Sequence, residues 1–109
     1  MYYREFRYEM GEESDEDIMS LIRSAGEGNE RINIGSYNYE GPAMTERNPQ
    51  GNPMKVHGEI YHIGNASVHA RIVRAQNERS YLLVRVCSQS SLEVLAMVTE
   101  WGKNFPRKK

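Results

Sequence analysis

Five residues of this chain have the side-chain chemistry to handle a phosphodiester: His57, Glu59, His69, Arg71 and Arg85. Paired imidazoles can exchange a proton, and a guanidinium can hold the charge that develops on phosphorus oxygens. Tyr37, Tyr61 and Tyr81 recur among them, and tyrosine is abundant, with seven residues against two phenylalanines. Tyrosine rings beside arginines suit two further tasks. They stack single-stranded bases while the cations meet phosphates. They also supply the side-chain types that anchor protein interfaces. An antiparallel sheet with one wet face would collect the same residues through strand propensity alone.

Other chemistry finds less support. His57 and His62 are five positions apart on one expected strand, so they point to opposite faces and cannot share a zinc ion without a bulge. His57 and His69 can share the outer face, with only Glu59 as a further donor, and no metal site or cofactor is expected. The glycines at 26–29 follow a helical pattern instead of preceding one, which is the wrong context for cradling phosphate. Asn65, Ala66 and Ser67 match a glycosylation sequon but read as a turn.

The elements that must position these residues follow from periodicity. Residues 2–10 are rich in aromatics and read as a strand. Ser14 and Asp17 form a capping box, and Ile18, Leu21, Ile22 and Ala25 then fall at helical spacing up to Gly26. The acidic run before this helix is a favourable charge at its N-terminus, and is not read as a metal site. A strand over 31–40 is followed by a loop over 41–53 with three of the four prolines. Strands are expected over 54–63, 67–75 and 81–88, joined by Gly64-Asn65 and by a turn at 76–80. Ser90 and Glu93 open a second helix that runs to Trp101, with Gly102 as its C-cap and Pro106 beyond. The order is β-α-β-β-β-β-α. It predicts an α+β fold: a largely antiparallel sheet of about five strands with both helices on one face.

Alternation then assigns the faces. Leu82, Val84 and Val86 point to the core, as do Val68, Ala70 and Ile72. Phe6 and Tyr8, Ile32 and Ile34, and Val56, Gly58 and Ile60 are expected beside them. The helix adds Leu95, Val98 and Trp101, each worth about 1.5–3 kcal/mol if buried. The outer face receives Tyr3, Glu5 and Arg7, then Arg31, Asn33 and Tyr37, then His57, Glu59 and Tyr61. His69, Arg71, Val73, Tyr81, Leu83 and Arg85 complete it.

The whole chain has 109 residues, 39% of them hydrophobic and 27% charged, which suits one globular domain. Residues 1–102 form that domain and 103–109 a basic tail. The net charge is −1, but acids crowd the first 17 residues and the rest is basic. No apolar run reaches the length of a membrane span, and the charged N-terminus is unlike a signal peptide. One cysteine, Cys87, excludes an internal disulfide and suits a reducing, cytoplasmic setting.

The expected function is that of a small, non-catalytic regulatory module of the inhibitor or immunity type. Its binding residues would be Tyr37, His57, Glu59, Tyr61, His69, Arg71, Tyr81 and Arg85, docking a protein partner or a second copy of the chain. Apolar Val73 and Leu83 in that face favour a protein partner over an open phosphate track. Single-stranded nucleic acid is the alternative partner for the same face. A histidine-dependent phosphodiesterase centred on His57 and His69 is the second alternative.

Overall fold

In the computed structural model the chain is described at residues 1–38, 55–74 and 80–105, backbone only at 33–38, 55–57 and 74. The expected loop over 41–53, most of the turn at 76–80 and the tail from 106 on lie outside the described residues. The elements are β1 (Tyr2–Glu9), α1 (Asp15–Ala25), β2 (Glu30–Asn38), β3 (Lys55–Ile63), β4 (Ala66–Arg74), β5 (Tyr81–Ser88) and α2 (Ser91–Gly102). The fold is α+β, a five-stranded antiparallel sheet in the order β1-β5-β4-β3-β2. β1 and β2 therefore lie at opposite edges, and the connection through α1 passes from one to the other.

The helix starts follow from local chemistry. The Ser14 hydroxyl accepts from the Asp17 amide at 3.1 Å, and Asp17 accepts from the Ser14 amide at 3.3 Å, a complete capping box. At α2 the Ser90 hydroxyl accepts from the Glu93 amide at 3.3 Å, but the Glu93 carboxylate turns to the Ser88 hydroxyl at 3.3 Å. That box is half made. The C-cap of α2 is Lys103, because Gly102 still belongs to the helix. Gly64 turns the β3–β4 hairpin at φ +61°, a conformation that glycine adopts without strain.

The core gathers between the sheet and the helices. Val68, Ala70, Ile72, Leu82, Val84 and Val86 meet Ile18, Met19 and Ile22 of α1 and Val94 and Trp101 of α2. Leu95, expected inward, is 48% exposed, and Leu92 is 78% exposed. The buried stripe of α2 runs through Val94 and Trp101, with Met97 and Val98 half-buried beside them. Phe105, within the segment read as tail, is buried, its ring 5.9 Å from Phe6 and 6.0 Å from Tyr8.

Candidate functional site

Cross-strand pairing sorts the candidate residues. Antiparallel partners point to the same side of a sheet. Tyr61 pairs with Val68 and Glu59 with Ala70, and both partners are core residues. Tyr61 and Glu59 therefore sit on the helix face, contrary to the expectation that they face outward. His57 pairs through its backbone with Ile72, another core position. Val56, Gly58 and Ile60 consequently pair with the outer-face residues Val73, Arg71 and His69. The alternation of β3 is the reverse of the one expected.

β2 is reversed with it at its start. Arg31 pairs with Tyr61 and Asn33 with Glu59, while Ile32, expected inward, is 45% exposed. A bulge between Asn33 and Gly35 then shifts the register, so Tyr37 falls opposite Val56. The side chains of Tyr37 and His57 lie outside the described residues.

On the helix face, Glu59 is fully buried and gathers two guanidinium charges, one from α1 and one from β2. Arg23 of α1 places Nε 3.0 Å from its Oε1, and Arg31 of β2 places Nε 3.2 Å from its Oε2. The Tyr61 hydroxyl donates to Oε2 at 3.4 Å. Burial, followed by the Glu59 charge, raises the Tyr61 phenol above its ordinary pKa, and Arg31 works against that rise. The Tyr61 ring is 5.5 Å from Trp101, under α2. The carboxylate is closed off from solvent. It ties α1 to β2 and β3.

The outer face carries two rows. Ile60, His69, Arg85 and Glu5 follow one another across β3, β4, β5 and β1. Gly58, Arg71, Leu83 and Arg7 form the next. Arg71, Val73, Tyr81 and Leu83 are buried. His69 is partly buried, and its imidazole is held below the ordinary histidine range by burial first, then by the charges of Arg71, Arg85 and His62. His62 shares this side, with Nδ1 3.3 Å from the Ser67 hydroxyl.

Toward β1 the face opens. The Arg7 guanidinium lies 3.6 Å over the Tyr81 ring, and its Nε contacts Glu9 at 2.6 Å. Arg85 lies 5.2 Å from the Tyr3 ring centroid and bonds Glu5 Oε2 at 2.9 Å. Tyr3 itself is 62% exposed.

The expected constellation of His57, Glu59 and His69 is not brought together, because the sheet separates Glu59 from His69. Among the described residues no group of three or more His, Cys, Asp and Glu is placed to hold a metal ion. No helix among them is long and apolar enough to cross a membrane. Of the candidate residues His69, Arg71, Tyr81 and Arg85 share the outer face. Tyr3, Glu5 and Arg7 extend it to the β1 edge, and alternation along β1 had placed them there. The partners of Glu59 left no local signal, since Arg23 and Arg31 reach it only through the fold.

What these observations define is a two-layer α+β domain with a tyrosine–arginine strip at one end of its sheet. No family model, no curated protein and no solved structure matches the chain.

Proposed function

We propose that this protein is a non-catalytic, cytoplasmic binding module of regulatory type, which engages a protein partner through the β1 end of its outer sheet face. The observation that carries this reading is the strip of Tyr3, Glu5, Arg7 and Arg85, with the buried Tyr81 ring beneath Arg7. Its side chains are held by one another, with Arg85 on Glu5 at 2.9 Å and Arg7 over Tyr81 at 3.6 Å. Such pre-ordering lowers the entropy lost when a partner docks. Tyrosine and arginine are also the side chains that most often anchor interfaces. The burial of Arg71 and Tyr81 counts against an open track for single-stranded nucleic acid. The separation of Glu59 from His69 counts against the phosphodiesterase.

Cross-linking mass spectrometry of the complexes formed by the chain tests the proposal. Cross-links concentrated around β1 and β5, lost when Tyr3→Ala and Arg85→Ala are combined, are the expected result. Complexes that survive both substitutions overturn it. So does binding of a labelled single-stranded oligonucleotide that weakens steeply with salt and is lost in the same double variant.

A further inference from the structure

β1 ends the sheet at one side, and its outward backbone groups are a template for another strand. The opposite edge, β2, is broken by the bulge between Asn33 and Gly35. Among the described residues β1 has no such break: its register with β5 runs without a shift from Tyr2 to Glu9. Beside it lies a groove of about 1150 Å³ between β1 and the end of α2, lined by Phe6, Tyr8, Val98, Gly102 and Phe105 among others. An added Cβ on Gly102 would meet nothing within 4 Å, so the groove is open on that side.

Charged residues on an edge strand usually prevent pairing. In β1 they are arranged differently. A second copy related by a two-fold axis must pair antiparallel, with facing residues on the same side of the sheet. An axis through Arg4, Glu5 or Arg7 sets that residue against its own copy, which is a like-charge contact in every case. An axis through Phe6 sets Glu5 against Arg7, Arg4 against Tyr8, and Tyr3 against Glu9, each pair occurring twice. An axis through Tyr3 or Tyr8 also avoids like charges but pairs only residues 2–4 or 7–9 of β1, whereas the Phe6 axis pairs residues 3–9, with every charge against an opposite charge, a ring face or a hydroxyl.

The side chains already hold contacts within the chain, since Arg7 lies over Tyr81 and on Glu9 and the Tyr8 hydroxyl donates to Glu13. Both contacts of Arg85 with Glu5 fall on Oε2, so Oε1 is open to a second guanidinium. Arg4 is exposed. Phe6, Tyr8 and Arg4 point to the helix side, where the groove lies, because their β5 partners are Val84, Leu82 and Val86.

We infer that the partner at this end of the sheet is a second copy of the chain, joined through antiparallel pairing of β1 with β1 about Phe6 into one continuous ten-stranded sheet, each five-stranded half from one copy. The inference rests on the binding-module reading and names its partner.

Charge reversal tests the register. The wild-type chain is expected at twice its 12.6 kDa mass by sedimentation equilibrium. Glu5→Arg places arginine opposite arginine, and Arg7→Glu places glutamate opposite glutamate, so each variant alone sediments as a monomer. Mixed in equal amounts they regain every opposite-charge pair and form a heterodimer. Hydrogen exchange on the wild-type chain needs no variant. In the dimer all amides from Tyr3 to Glu9 are protected, whereas in a monomer only the alternate amides bonded to β5 are.

A wild-type chain that stays monomeric at millimolar concentration overturns the inference. So do single variants that remain dimeric, a mixture that stays monomeric, or a dimer dissociated by Leu92→Glu on the exposed side of α2. If the chain is monomeric but a different protein is still cross-linked through Tyr3 and Arg85, self-pairing fails while the binding-module reading stands. If neither occurs, both fail.

Discussion

Gly26, at the end of α1, leaves the space that the ring of Tyr61 occupies. A Cβ there would overlap Cε1 and Cδ1 of that ring. The glycine is needed for this approach and not for its backbone angle, since its φ is −92°. Gly26→Ala should cost about 1–3 kcal/mol, the usual penalty for overpacking. In a Tyr61→Leu background the same substitution should cost clearly less. Urea unfolding of the four chains measures both costs, and equal costs in the two backgrounds would show that the ring is not the obstacle.

The Glu59 cluster predicts an asymmetry. Arg23 and Arg31 have side chains 51% and 47% exposed, so they can reach water when the carboxylate is lost. Glu59→Gln should therefore cost only the charge-assisted hydrogen bonds, about 1.5–3 kcal/mol. Replacing both arginines by methionine strands a buried carboxylate and should cost about 3–5 kcal/mol. Denaturation midpoints at neutral pH give the order, and the reverse order would mean that Glu59 is hydrated in solution.

His69 sets part of the acid sensitivity. Its pKa is lower in the folded chain than the ordinary 6.5. As pH falls below that value the unfolded chain takes up the proton first, so stability declines toward the lower folded pKa. Above 6.5 both states are neutral and the group contributes no slope. His69→Gln should flatten the loss of melting temperature between about pH 7 and pH 5. An NMR titration of His69 with a midpoint at or above 6.5 would contradict this.

Phe105 packs on the helix side of β1 against Phe6 and Tyr8, at 5% exposure. Phe105→Ala should cost about 3 kcal/mol. A chain ended at Gly102 should lose about as much. A truncated chain as stable as the full one, by thermal unfolding, would show that Phe105 packs there without stabilising the sheet.

Much of the fold is legible from local pattern. The two serine N-caps, the Gly64 turn and the bounds of β5 are written in neighbouring residues. So is the inward side of β4 and β5, because Val68, Ala70, Ile72, Leu82, Val84 and Val86 alternate with polar or larger neighbours. α2 is less legible: Leu92, Val94, Leu95, Met97 and Val98 surround the helix with apolar side chains, and hydropathy alone cannot say that Leu95 faces out.

β3 shows where local pattern stops. Val56, Gly58 and Ile60 are more apolar than His57, Glu59 and Tyr61, and on hydropathy they belong inside. The core at this edge is built by partners from elsewhere in the chain. Trp101 and Gly26 make room for the ring of Tyr61, and Arg23 and Arg31 neutralise Glu59. Their combined contacts outweigh the transfer cost of an acid and a phenol. The sequence by itself determined which segments become strands and helices, because that depends on neighbours in the chain. Tertiary structure decided which side of β3 is inside, because burying a charge depends on residues that only folding brings within hydrogen-bonding distance.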